Sequence, residues 1–383
     1  MLGRYLGSAT DGVRDCRILC HLEMTSWFDC LVHVTRAACV ITLPPKIGCP
    51  WGLGSPRPPA CGELTWQCPQ YWASVEAHEL EAHRHSAPDP AGLETVAGLL
   101  GGTDVGEVRR LDGGVTCAVH RVEIRAPQGG NQVVVKRFPP GDGNPQAEWE
   151  ALRFAEHTAA LSPIPLAFDP DGRWFGTATL VMSCLPGSPV LTPGDNFRWT
   201  WQLAAALLDI HSTRAEVPIA LRRAPIWERW TSEGLVDNER TVATKAAISR
   251  LGSLLWDSGF CHCDFHPGNV LFENGAVSGV VDWSAARAAP LLSDVGRCRA
   301  ALAVWPGGDA SDRFLSAYRS QSGTSLTGVA YWDLLSATIA LQNARGWMPL
   351  YHNVDISLDT VRQRAEQFTD NALDRIRSGD DPD

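Results

Sequence analysis

The chain has 383 residues, 44% of them hydrophobic and 20% charged, enough for one large or two medium domains with a real core. A formal net charge of −10 excludes nucleic acid as the main partner, because a phosphate backbone is bound through a basic face. The same acidity suits a small cationic molecule, and it also serves solubility.

No apolar run is long enough to span a membrane; the nearest candidate, Cys30 to Pro44, is broken by His33 and Arg36. The N-terminus has no basic segment followed by an apolar core, so no secretory signal is read there and the expected location is cytoplasmic. Seven of the 12 cysteines (Cys16, Cys20, Cys30, Cys39, Cys49, Cys61, Cys68) fall in the first 70 residues, none in a Cys-x-x-Cys pair. A zinc module is thus poorly supported, and a disulfide scaffold conflicts with the missing signal.

Residues 1–90 stand apart. They mix scattered Cys and Trp with Pro-rich pieces such as Leu43-Pro44-Pro45 and Ser55-Pro56-Arg57-Pro58-Pro59, and show no sustained helical or alternating period. They read as an irregular or disordered extension, an accessory region, or a stretch translated from upstream of the true start and so not genuine coding sequence. Composition leans to the last, and no function is assigned.

A small β-rich unit follows, over 97–185. Val105 to Leu111 reads as a strand ending in Asp112-Gly113-Gly114, Ala118 to Arg125 as a second, and Gln132 to Phe138 as a third with Lys136 late in it. Gly113-Gly114 lets backbone amides approach a phosphate closely, although hairpin turns use glycine routinely. Ala147 to Ala155 reads as a helix with Ala151, Leu152 and Ala155 on one face. A carboxylate early in it, Glu148 or Glu150, would pair with Lys136. Pro163 to Phe168 and Thr179 to Gly187 read as two more strands and an exit.

From about residue 190 the pattern turns helical. Trp201, Ala204, Leu208 and His211 recur every three to four residues and predict a buried face, with His211 a packing or capping residue at its end. Residues 311–320, 329–343 and 358–377 read as further helices. The last carries the stripe Val361, Ala365, Phe368, Ala372 and Ile376, before an acidic tail, Asp380 to Asp383.

Within this unit lies His262-Cys263-Asp264-Phe265-His266-Pro267-Gly268-Asn269, followed by Val281-Asp282-Trp283. Asn274-Gly275 between two β-branched-rich runs predicts a hairpin, since both residues tolerate positive φ. With a two-residue loop, Phe272 faces Val277 and Asn269 faces Val280, leaving Asp282 roughly 7 Å further along the partner strand. One ion could bridge Asn269 and Asp282, while Asp264 sits on the tight turn before the hairpin. Phosphoryl transfer needs such a set: a carboxylate near the attacking hydroxyl, and an Asn and a second carboxylate on Mg²⁺. The rival reading makes His262, Asp264, His266 and Cys263 transition-metal ligands, but leaves Asn269, the hairpin and Asp282 unexplained.

Pattern and spacing resemble the aminoglycoside phosphotransferase family, relatives of the protein kinases that phosphorylate small molecules, choline kinases among them. The resemblance covers roughly residues 97–378. It implies an α+β, two-lobed protein-kinase-like fold, with a small β-rich N-lobe (97–185) and a larger helical C-lobe (186–378) holding the catalytic hairpin 262–283. By resemblance, Asp264 is the base or orienting acceptor, Asn269 and Asp282 hold Mg²⁺, and Gly113, Gly114 and Lys136 meet the phosphates of ATP or GTP. Glu148, placed just before the Ala-Leu pair as in the family, would orient Lys136, and the strand with Met182 would meet the nucleobase, although core packing explains Met182 equally. His266 stands where protein kinases carry a catalytic-loop lysine, either touching phosphate or filling space. Asp294 would brace the catalytic loop and His262 support it. Cys263 departs from the family's usual Gly.

The expected function is transfer of the γ-phosphate of ATP or GTP to a hydroxyl of a small cationic molecule, with neither nucleic acid nor membrane as partner. The alternative is a nucleotide-binding regulatory pseudokinase. A protein acceptor is disfavoured by the lack of an evident activation loop after Asp282. Acceptor identity and oligomeric state are not read from the sequence.

Overall fold

The computed structural model describes residues 5–10, 13–21, 27–35, 38–42, 77–111, 116–127, 129–141, 145–222, 226–254, 256–348 and 354–379. Two compact units are separated, Met1–Glu79 and Leu80–Asp383. In the first, β1 (Tyr5–Thr10), β2 (Val13–His21), β3 (Trp27–Thr35) and β4 (Ala38–Thr42) form an antiparallel sheet in chain order, with Cys16 opposite Val32 and Val34 opposite Cys39. A region without a sustained sequence period thus carries four strands, the third rich in aromatic and β-branched residues that favour a pleated backbone. The Pro-rich pieces at 43–59 and the acidic tail at 380–383 lie outside the described residues.

The second unit begins at Leu80. Two helices, α1 (Ala77–His85) and α2 (Pro90–Leu99), precede the strands. Asp89 caps α2 by accepting from the Gly92 amide, and Pro90 sits at the first turn, where its missing N–H costs nothing. Leu93, Val96 and Ala97 of α2 are buried against Val122, Ile124, Val133, Val135 and Val181 of the sheet behind them.

That sheet is antiparallel. It contains β5 (Asp104–Arg110), β6 (Ala118–Arg125), β7 (Asn131–Arg137), β8 (Pro165–Asp169) and β9 (Thr179–Ser183) in the order β5-β6-β7-β9-β8. The period of two in β7 sorts its side chains. Val133 and Val135 join the α2 cluster, and Arg137 reaches the Ser86 carbonyl and hydroxyl and lies over Phe175 at 5.8 Å. Lys136 and Val134 take the opposite face, covered by α3 (Pro145–Ala155).

A short strand, β10 (Ser188–Pro189), leaves the sheet and pairs with the hairpin of the helical lobe. Helix α4 (Asn196–His211) is capped by Asp195, which accepts from the amides of Phe197 and Arg198. Its buried face matches the one its spacing predicts only in part: Ala204 and the His211 side chain are buried as expected, and Trp201 is not. Trp199, Leu203, Ala206, Leu207 and Ile210 point inward, whereas Trp201 is 41% exposed and stacks on exposed Phe197. Both sets fit a helical period, and packing on α8 (Ala310–Ser322) selects the face.

Helices α5 (Ile226–Arg229) and α6 (Glu239–Ile248) follow, then β11 (Ser258–Cys261), β12 (Val270–Glu273), β13 (Ala276–Val280) and β14 (Arg287–Pro290). Strand β11 pairs with β14, closing the segment 262–286 between them. Helices α7 (Leu291–Val304), α9 (Val329–Trp347) and α10 (Leu358–Ser378) pack under this segment. A Cβ on Gly296 would stand 2.5 Å from the Trp332 backbone, so glycine is what lets α7 and α9 approach there. Among the described residues no helix is long and apolar enough to cross a membrane.

Candidate active site

The β12–β13 hairpin turns at Asn274 (φ 53°) and Gly275 (φ 76°), both in the left-handed region that a tight hairpin demands. Its register differs from the simple expectation by one residue. Phe272 faces Val277, but Val270, not Asn269, faces Val280, because the pairing shifts between Leu271 and Phe272. Ser278 is the extra residue, and its hydroxyl donates to the Pro186 carbonyl at the exit from the sheet. The bulge brings Asn269 level with Val281, whose amide donates to the Asn269 carbonyl at 2.9 Å. Asp282, itself at φ 62°, therefore follows directly on the partner strand.

Asp264 lies on the turn before the hairpin. The Asn269 carboxamide donates to the Asp264 carbonyl at 3.0 Å and approaches the carboxylate at 3.5 Å. The turn is held from behind by Asp294 of α7, fully buried, which accepts from the His262 amide at 2.7 Å and the Cys263 amide at 2.6 Å. His211 meets the same carboxylate at 3.2 Å and Tyr318 at 2.8 Å, so it braces Asp294 from the end of α4. The His262 ring contacts the Val281 carbonyl at 3.1 Å and packs on Trp283 at 4.8 Å, tying the turn to the residues on either side of Asp282. Cys263 takes φ 60°, a conformation that disfavours a side chain.

His266 is buried. Its Nδ1 accepts from the Gly268 amide at 3.1 Å, which leaves Nε2 as the protonated nitrogen of the neutral ring, 3.9 Å from Asp264. Burial first, then the charges of Arg297 and His262, bring its pKa down to about 4 against the opposing pull of Asp264. That direction favours the neutral ring in this structure.

Lys136 stands between two carboxylates, 2.7 Å from Glu148 and 2.9 Å from Asp282. Glu148, not Glu150, is the partner from α3; Glu150 takes a hydrogen bond from Gln146 instead. Burial opposes the charge on Lys136, but Asp282 and Glu148 outweigh it and hold its pKa well above the ordinary value. Burial likewise would raise Asp282, and the charge and hydrogen bond of Lys136, with the Ser284 hydroxyl at 3.0 Å, bring it to about 2.

Lys136 and Ser284 both meet Oδ1 of Asp282, leaving Oδ2 for a further ligand. The Asn269 carboxamide oxygen likewise accepts no hydrogen bond from a described residue, while its nitrogen is fixed on Asp264. Two hard oxygen donors, one just before β12 and one just after β13, fit Mg²⁺ better than a thiophilic metal.

Met182 lies in β9 between β7 and β8, paired with Val134 and Pro165, and its side chain is 6% exposed in the core that both lobes share. The strand ends at Ser183. Gly113 and Gly114 lie outside the described residues. Sequence reasoning did not single out Arg297, three residues after Asp294 on α7. Its Nε and Nη2 both lie 2.8 Å from Oδ1 of Asp264, and its guanidinium sits over Trp347 at 5.0 Å.

Comparison with known proteins agrees with this geometry. The model of the phosphotransferase enzyme family matches residues 107–332, more than half of the chain, and the chain belongs to that family. A homoserine kinase of Methylobacterium nodulans is 28% identical over 212 residues, covering 50% of this chain; the chain spans 65% of that relative's length. A Ralstonia eutropha protein provisionally assigned as an aminoglycoside phosphotransferase shares the fold with a TM-score of 0.53 at 16% identity, over 76% of this chain and 99% of its own. Amicoumacin kinase bound to AMP-PNP, Ca²⁺ and Ami matches with a TM-score of 0.52 at 17% identity, over 78% and 96%. A choline/ethanolamine kinase family protein of Mesorhizobium loti matches at 0.50 and 15%, over 75% and 98%. The fold is thus the two-lobed kinase-like one that the resemblance implies.

Proposed function

We propose that this protein transfers the γ-phosphoryl group of ATP or GTP to a hydroxyl of a small molecule. The observation that carries the reading is the convergence of Lys136, Asp282, Asn269 and Asp264, drawn from two lobes and 146 positions of chain, on one site. Each has a role its surroundings support. Lys136, held charged by Glu148, would bind the α- and β-phosphates. Asn269 and Asp282 would hold Mg²⁺, and a bound Mg²⁺ neutralises charge on the transferred phosphoryl. Asp264 accepts the proton of the acceptor hydroxyl, or orients that hydroxyl, an assistance worth on the order of 10²–10⁴ in rate. The backbone just past Ser183, where the ladder ends, is the place for the nucleobase.

The formal net charge of −10 favours an acceptor carrying an amine. Homoserine kinase and choline/ethanolamine kinase among the relatives put hydroxylated amines first on the acceptor panel. The test is direct: incubate the full chain with Mg-ATP or Mg-GTP and amino alcohols, hydroxy amino acids, amino sugars and macrolides, then look for a phosphate ester by mass spectrometry. A Mg²⁺-dependent product supports the reading. Tight Mg-nucleotide binding with no product across the panel speaks for the regulatory alternative.

A further inference from the structure

We infer that Arg297 is a positioning residue for the transfer: it anchors one oxygen of Asp264 so that the other is presented to the acceptor hydroxyl. This rests on the phosphotransferase reading above. Both Nε and Nη2 of Arg297 lie 2.8 Å from the same atom, Oδ1. Among the described residues the other oxygen, Oδ2, has only long polar neighbours, Asn269 Nδ2 at 3.5 Å and His266 Nε2 at 3.9 Å. A carboxylate gripped at one oxygen and left open at the other has a defined rotation and a defined lone pair for an incoming O–H.

The grip is itself rigid. The Arg297 side chain is 13% exposed, and its guanidinium lies 5.0 Å from the centroid of Trp347 near the end of α9. Arg297 follows Asp294 by one helical turn, and Asp294 holds the backbone amides of His262 and Cys263. One turn of α7 therefore sets both where the loop sits and how the Asp264 carboxylate is rotated. Gly296, pressed on the Trp332 backbone, fixes the depth of that turn.

In the step this geometry serves, the acceptor oxygen bonds to the γ-phosphorus and its proton passes to Oδ2. The bond from the γ-phosphorus to the bridging oxygen breaks, and its electron pair leaves on the nucleoside diphosphate. Misplacing a reacting group by about 1 Å costs on the order of 10² in rate, and this is the loss expected when Asp264 is free to rotate.

The experiment uses the full chain with an acceptor that supports turnover, and compares wild type, Arg297→Met, Arg297→Lys, Asp264→Asn and the double variant Arg297→Met/Asp264→Asn. Arg297→Met should lower kcat by about 10–10² while the Mg-nucleotide Kd stays within about threefold. Arg297→Lys should recover part of the loss. In the Asp264→Asn background the Arg297→Met change should cost little more, because the two act through one carboxylate. If Arg297→Met does not melt cooperatively, Arg297→Lys with its own double variant carries the same comparison. An Arg297→Met enzyme with unchanged or raised kcat overturns the inference, as does an undiminished loss in the Asp264→Asn background. A wild-type chain that binds Mg-nucleotide and transfers to nothing overturns the phosphotransferase reading, and this inference with it.

Discussion

Lys136 of the N-lobe sheet and Asp282 of the C-lobe hairpin form an ion pair at 2.9 Å, and Glu148 of α3 closes on the same ammonium at 2.7 Å. On the proposed reading the pair would couple nucleotide binding to metal binding, because the lysine that would meet the phosphates touches the carboxylate that would hold Mg²⁺.

Lys136→Met should therefore damage both stability and binding. Glu148 is 1% exposed and would be left as a buried carboxylate without its cation. Removing one member of a buried pair costs about 3–5 kcal/mol. A urea titration should show that loss, and Mg-nucleotide affinity should fall with it. An unchanged midpoint would mean Glu148 finds another partner.

Asp294→Ala removes the acceptor for two loop amides and the partner of His211. Unpaired buried donors cost about 1–3 kcal/mol each. Hydrogen exchange at residues 262 to 264 should accelerate, and turnover should collapse although Asp294 touches no reactant. Unaltered protection there would show that the loop does not depend on this carboxylate.

Cys263→Gly is a predicted gain. The left-handed φ of 60° costs a non-glycine residue about 1–2 kcal/mol, of which the freer unfolded glycine gives back about 0.5–1. The denaturation midpoint should rise modestly, and transfer should persist because the backbone amide that Asp294 holds is kept in the variant. A loss of activity in this variant would assign the thiol a role.

Much of this was legible from side-chain patterning. The strands of the second unit's five-stranded sheet, the Asn274-Gly275 turn and the motif from His262 to Asp282 follow from local sequence, whereas the choice of Glu148 as the partner of Lys136 came from the family resemblance. Tertiary choices were not. The bulge at Ser278 depends on Pro186, far away in sequence. The buried face of α4 was decided by α8, since Trp201 and Trp199 suit two different stripes of one helix. Helix α2 escaped notice because its apolar residues only gain meaning against the back of the sheet. Arg297 gave no signal beyond its place one turn after Asp294, and a lone helical arginine is ordinarily a solvated one.

Acid should weaken the fold in a defined window. Burial lowers His266 from 6.5 to about 4, aided by Arg297 and His262 and resisted by Asp264; burial lowers His120 likewise, aided by Arg137 and Arg110. Between those values the unfolded chain takes up protons that the folded chain refuses. Stability is therefore full above about pH 6.5, falls as pH drops toward 4, and each histidine contributes up to about 3 kcal/mol to that fall. Asp282 contributes separately and lower, since its carboxylate is lost only as pH falls through about 2. Urea midpoints near pH 7.5 and 5 should differ less in His266→Gln than in wild type. Equal drops in both proteins would contradict the buried, neutral assignment.

The most direct test of the account is Mg²⁺-dependent ADP or GDP release by the full chain, with and without acceptor, for wild type and Asp264→Asn together. The account predicts acceptor-stimulated release that the variant loses by at least about 10² while Mg-nucleotide binding survives. Near-wild-type turnover in Asp264→Asn would contradict the role given to Asp264 and to the residues that hold it.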